Sequence, residues 1–297
     1  MGVVFFEEPQ LESPELIAAW PGIGNVGLVA ADTLRGMLQA RQFAEIEPWE
    51  FFYPRRVSVA NGELRELEFP ASRFYFKKAG TRDLIFFIGE EQPGEARKDD
   101  RLANLVIDVA LRFGCKRVYT AAAAVALIHH SLKPRVWAAP NRNELIDEVR
   151  RYGNTMLMSE IGGRRGQGNI TGLNGLLLGI ARKRALDGIC LLGEIPVYIA
   201  QFPLSYPKAS KSVLQVLAAN LGLTLDFAQL DDLAQGVEDG IERLCQQFPD
   251  EVRQRIDQLK QAGYQEEERS GLITDEDKKK IMQEIDSFFG RGDRKID

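Results

Sequence analysis

The sequence predicts an α/β protein whose mostly parallel sheet is flanked by helices. Apolar runs and helical patterns alternate through residue 225, as they do when crossover helices join parallel strands. One of the runs, "DLIFFIG", reads as a continuous apolar strand buried on both faces. A chain of 297 residues that is 44% hydrophobic and 27% charged can bury a sizeable core.

In order, "ELIAAW" reads as a first strand, Val26 to Gln39 as the following helix, and "FAEIE" as a second strand. "RRVSVANGELRELEF" then interrupts the alternation as an inserted β-hairpin. Its Asn61-Gly62 pair suits the positive-φ positions of a type I′ turn. After the strand "DLIFFIG" comes a helix from about Lys98 to Phe113, with Leu102, Leu105, Val106, Val109 and Ala110 on one side. "RVYTAAAAVAL", whose alanines imply close backbone packing, "PRVWAAP" and "GICLLGE" are further strands. Helices around Glu144 to Tyr152 and Leu173 to Arg184 lie between the last two. "SEIGGRRGQGNITG" joins those helices as a basic, glycine-rich loop expected to be mobile.

The pattern changes after Phe227. Leu230, Leu233, Val237, Ile241, Leu244 and Phe248 repeat at helical spacing, as do Val252, Ile256 and Leu259 beyond Pro249. We therefore divide the chain into an α/β core (1–227), a C-terminal helical extension (228–262), a charged linker (263–274) and a C-terminal helix and tail (275–297). The extension is expected to dock on the core or on a neighbouring subunit. In the last helix Ile281, Ile285, Phe288 and Phe289, widened by Met282, form an apolar stripe that suits docking into a groove.

Several function classes are excluded by composition. A net charge of −5 and a pI near 5.4 write no general attraction to nucleic acid or anionic membranes into the chain. The longest apolar runs are too short to span a bilayer. "MGVVFFEEPQ" has no basic n-region, and the three cysteines are far apart, so reduced thiols in a cytoplasm are expected. With two histidines and no C-x-x-C or H-E-x-x-H, no metal site and no cofactor is expected.

Gly22-Ile23-Gly24-Asn25-Val26-Gly27 matches G-x-G-x-x-G, placed after a strand and before a helix as a dinucleotide-binding loop would be. Glu47 lies where such a fold carries its ribose-binding carboxylate. Pro21 at the strand–turn transition and a second strand that leads into a hairpin weigh against NAD. A structural tight turn or a small-anion site is the competing reading.

"WPGIGNVGLVAADTL", "GEEQP", "ITGLNGLLLGIA", "LLGEIPVY" and "PKASKSVLQVLAANLGLTLDFAQL" follow one another in an order that resembles the proteasome assembly chaperone 2 family, over roughly residues 14 to 245. The resemblance implies a phosphorylase/nucleoside-hydrolase-like fold and a non-enzymatic, homo-oligomeric protein that binds itself and a protein client. Archaeal chaperones of this type dock through a C-terminal hydrophobic-Tyr-any tripeptide. This sequence closes with Lys295-Ile296-Asp297, so docking by that mode is not expected.

The alternative is an enzyme or sensor that binds a nucleoside or phosphorylated small molecule at the carboxyl ends of the strands, where open α/β sheets hold ligands. Its candidates are Gly22, Gly24, Asn25 and Gly27 in the first loop, Glu90, Glu91 and Gln92 after the third strand, Asn174 at a helix start, and Glu194 and Tyr198 after the last strand. Against it, these groups can equally cap helices or bond the backbone, and no motif nominates a nucleophile. His129-His130 reads as a solvated loop pair, with one of the two lining the pocket as the competing reading, Arg164-Arg165 as solvated or closing on an anion, and Cys190 as an inert core residue.

Overall fold

The computed structural model describes residues 2–80, 82–161 and 168–262. Its strands are β1 (Val3–Phe5), β2 (Glu15–Ala19), β3 (Arg41–Ile46), β4 (Arg56–Ala60), β5 (Glu63–Glu68), β6 (Ser72–Lys77), β7 (Leu84–Gly89), β8 (Arg117–Ala126), β9 (Val136–Pro140), β10 (Thr155–Leu157) and β11 (Asp187–Pro196). Its helices are α1 (Val26–Met37), α2 (Ala96–Arg112), α3 (Ile146–Val149), α4 (Gly172–Lys183), α5 (Pro207–Leu221), α6 (Ala228–Cys245) and α7 (Asp250–Ala262).

Nine strands form one sheet in the order β1-β3-β6-β7-β2-β8-β11-β9-β10, and β4 and β5 form a separate two-stranded ribbon. The sheet is mixed, which corrects the expectation of a mostly parallel one. β7, β2, β8 and β11 run parallel at its centre, and β9 and β10 are parallel at one edge. β1, β3, β6 and β7 are antiparallel in succession, and β11 meets β9 antiparallel. The connection from β6 to β7 is too short for the crossover that parallel neighbours require, so the chain turns back on itself there.

Alternation along the central strands sorts their side chains onto two faces. Ile17 and Ala19 of β2 and Tyr119 and Ala121 of β8 pack with α1 and α5. Leu16 and Ala18 point the other way, onto Leu102, Val106 and Ala110 of α2 and Leu177 of α4. β6 alternates buried and half-buried residues, and its Phe74 and Phe76 surround Phe43 of β3 with ring centroids 6.1 and 5.8 Å away.

Two further elements differ from expectation. Residues 144–152 do not make a sustained helix: a 3-10 turn at Asn143–Leu145 leads into α3, which has only four residues. Asn154, at φ 56°, turns the chain so that β10 can pair beside β9. The apolar stripe of α6 and α7 is covered within the chain except at Leu233, which is 55% exposed. Leu230, Ile241, Phe248, Val252, Ile256 and Leu259 are buried in the same cluster as α1 and α5. That stripe therefore gives no argument for a neighbouring subunit. No described helix is long and apolar enough to cross a membrane. Ile281, Ile285, Phe288 and Phe289, with the linker before them, and Arg164-Arg165 lie outside the described residues.

Candidate functional site

The carboxyl ends of β2, β7, β8 and β11 gather most of the candidates, and the glycine loop lies at their centre. Residues 23–25 make a single 3-10 turn before α1, with Asn25 left-handed at φ 47°. Gly27 allows α1 to touch the sheet: a Cβ there would fall 1.9 Å from the carbonyl oxygen of Ala121 on β8. The loop is covered from above. The backbone N–H of Tyr206 donates to the Gly24 carbonyl at 2.8 Å, and the Asn25 amide donates to Ser205 Oγ at 3.2 Å. Ile195 and Tyr206 stand within 2.8 and 3.2 Å of where a Gly24 Cβ would be. Glu47 accepts the Gly2 N–H at 2.8 Å and so ties β3 to the start of the chain.

The remaining candidates, Asn174 excepted, have partners of their own. Gln92 joins two loops, its amide donating to the Pro21 carbonyl at 2.8 Å and its oxygen accepting the Leu173 N–H at 3.2 Å. It thereby satisfies one of the free donors at the start of α4. Glu90 accepts from Arg55 at 3.0 Å and from the Ala71 N–H at 3.2 Å, and Glu91 accepts from Arg55 at 2.6 Å. Asn174 is buried, and among the described residues its Oδ1 has no hydrogen-bond partner.

Glu194 is fully buried near the end of β11. A charge there survives only if donors surround it. They come from β9 and the residue before it: the Arg135 N–H at 2.8 Å, the Trp137 indole N–H at 2.8 Å and the Arg135 guanidinium at 3.4 Å.

Tyr198, Nδ1 of His130 and a carboxylate of Glu242 form a chain with spacings of 2.8 and 3.1 Å. The His130 backbone N–H also donates to the Tyr198 oxygen at 2.9 Å. A neutral imidazole protonated on Nε2 satisfies all three contacts, accepting from Tyr198 and donating to Glu242. Lys208 donates to the His130 carbonyl at 2.8 Å and pairs with Glu238. Both histidines are buried, which corrects the solvated pair expected from sequence, and their rings stack at 4.1 Å. Burial, then the neighbouring ring, pushes the His129 pKa down to about 4. Burial also lowers that of His130, against the raising effect of Glu242.

Chemically this arrangement locks loops together. The Tyr198–His130–Glu242 chain has the connectivity of a proton relay, but the tyrosine is fully buried and burial raises its pKa. Burial pushes the thiols of Cys115, Cys190 and Cys245 up to about 12, so at neutral pH they are not nucleophiles. No group of three or more potential metal ligands occurs among the described residues. A polar cavity of about 430 Å³ lies at the opposite, amino ends of β2, β8 and β11. Its Arg82–Glu15 and Arg117–Glu148 pairs, at 2.8 and 2.5 Å, already join its opposite charges. Arg135, Trp137, His130 and Glu242 complete the strand-end network. Only their positions in the fold reveal them, since they come from segments far apart in sequence.

These features define an α/β scaffold whose strand-end crevice is held by its own side chains. The chain belongs to the PAC2 family, the proteasome assembly chaperone family, whose pattern it matches over residues 16–245. An uncharacterized protein of Methanocaldococcus jannaschii is 28% identical over 243 residues, 82% of this chain and 86% of that one. The crystal structure of Pyrococcus furiosus PbaB, an archaeal proteasome activator, matches with a TM-score of 0.69 at 30% identity, over 82% of this chain and 97% of that one. PbaA of the same organism, an archaeal homolog of proteasome-assembly chaperone, shares the fold with a TM-score of 0.61 at 23% identity, over 88% and 98% of the two chains.

Proposed function

We propose that this chain is a non-enzymatic, cytoplasmic and homo-oligomeric interaction protein whose client is a proteasome subunit. Family membership carries the reading, together with 30% identity to a proteasome activator over 82% of the chain. The strand ends support it. Glu90, Glu91, Gln92, Glu194 and Tyr198 are engaged with Arg55, Pro21, Trp137 and His130, as expected of a scaffold that holds its surface rigid. With the family, the sheet is read as phosphorylase/nucleoside-hydrolase-like and the 56–68 ribbon as an insertion in it. The apolar stripe Ile281, Ile285, Phe288 and Phe289 is the recognition element we assign from sequence.

The test is a titration of proteasome α subunits with the full chain and with a chain lacking residues 272–297, followed by light scattering. A stoichiometric complex with the full chain, lost on truncation, is the expected result. Failure to form a complex, with a rise in Tm on adding nucleosides, nucleotides or phosphate, would overturn the reading in favour of a small-molecule site.

A further inference from the structure

The β4–β5 ribbon is amphipathic. Val57 stands opposite Leu67 and Val59 opposite Leu64, and a register shift between the two pairs keeps all four on one face. Ser58 marks the irregularity, its hydroxyl bonding the backbone N–H and carbonyl of Glu66 at 3.2 and 3.4 Å. The other face is charged, with Arg56 bonded to Glu68. Yet the apolar face lies open: Val59 and Leu64 are each 66% exposed, Val57 43% and Leu67 37%. Trp49 and Tyr53, just before the ribbon, are exposed as well. A two-stranded ribbon is marginal in water unless its apolar face is covered, and contiguous exposed aliphatic surface marks a contact.

We infer that two copies of this chain pack these ribbons face to face about a two-fold axis. The inference rests on the oligomeric reading above and names its interface. Charge at this face does not oppose a second copy: each chain carries a net −5, but the face has no ionisable side chain to bring like charges together. A two-fold contact needs a patch complementary to itself, which a uniform aliphatic face is. The irregularity at Arg65–Glu66 disfavours a foreign strand adding along the β5 edge, leaving the face as the surface that packs. Stable dimers bury about 800 Å² per partner. Four aliphatic side chains, with aromatic neighbours that bury about 150–250 Å² each, reach that order.

Light scattering on the wild type, Val59→Asp, Leu64→Asp and, as a control on the charged face, Glu63→Lys decides it. The wild type and Glu63→Lys should be oligomeric. Each aspartate should weaken self-association at least tenfold while the chain stays folded by circular dichroism. Val59→Cys, in a chain whose own cysteines are buried, should form a disulfide-linked dimer under mild oxidation. A monomeric wild type would overturn this inference and the oligomeric reading together. An oligomer whose mass both aspartates leave unchanged, with no Val59→Cys cross-link, would overturn this inference alone. So would a fall in Tm at unchanged mass, which would place a segment of the same chain on the face. Loss of a proteasome-subunit complex at unchanged mass would give the face to the client and likewise overturn it.

Discussion

Nε2 of His130 stands 3.1 Å from a carboxylate oxygen of Glu242, a residue 112 positions further along the chain. The contact ties the loop after β8 to α6, and Lys208 and Glu238 reinforce it from α5 and α6. The stacked His129 faces Lys260 and Asp257 of α7 as well as Glu242.

A pH dependence follows from this placement. Both histidine pKa values are lowered in the folded chain, His129 to about 4, so acidification charges the unfolded chain first. The contribution to stability is complete above about 6.5, the ordinary histidine value, and is lost as pH falls toward 4. Tm should drop by several degrees across that window, and His129→Phe should flatten the slope. A Tm constant from pH 7 to 4.5 in the wild type would refute it.

Gly27 and Gly36, on the same helix, should respond oppositely to alanine. At Gly27 the new methyl meets the Ala121 carbonyl at 1.9 Å, and α1 must lift from β8. We expect a loss of about 3 kcal/mol or more, the upper end for overpacking. At Gly36 nothing lies within 4 Å of the new methyl, so alanine should stabilise by about 0.5–1 kcal/mol through helix propensity. Denaturant melts of both variants measure the contrast, and equal effects would refute it.

How far the sequence was legible depends on how local the cause is. β7 and β11 were readable because burial on both faces leaves a continuous apolar run. The turn at Asn61-Gly62 was readable because its left-handed geometry selects those residues, and both have positive φ. β1 and β10 have three residues each, too few to show a period, and β6 hides its alternation behind Ser72 and Arg73. The burial of His129-His130 had no local sign, because Glu242 and α7 cover the pair from far along the chain. In the glycine loop the turn was visible, but its covering by Tyr206 was not.

Glu194→Ala should destabilise strongly. It would leave the Trp137 indole N–H and the Arg135 backbone N–H without their short bonds to the carboxylate, and Arg135 without its buried counter-charge. Losing hydrogen bonds to a buried charge costs about 2–4 kcal/mol in total when the partner cation, here with a side chain 19% exposed, keeps some contact with solvent. Glu194→Gln keeps an acceptor for one N–H and should recover part of the loss. Chemical denaturation of both variants tests this, and an alanine variant within 1 kcal/mol of wild type would show that the carboxylate is not needed.

Arg55 holds the root of the ribbon, and its removal should separate local from global stability. Its N–H donates to the Glu68 carbonyl at 2.6 Å, and its guanidinium reaches Glu90 at 3.0 Å and Glu91 at 2.6 Å. All three side chains are about half exposed. Ion pairs of this kind contribute about 0–1 kcal/mol, so Arg55→Ala should move Tm by no more than about 2 °C. Locally the effect is larger, because the side chain closes the loop from which β4 and β5 project. Freed from it, the ribbon opens more often, and trypsin should cut after Arg56 and Arg65 several-fold faster than in the wild type, with cleavage elsewhere unchanged. Arg55→Lys keeps the charge but not the planar fork that spans two carboxylates, so it should fall between. Site-resolved cleavage rates by mass spectrometry decide the matter: equal rates at Arg56 and Arg65 in wild type and alanine variant would mean that Val57, Val59, Leu64 and Leu67 are presented without help from Arg55.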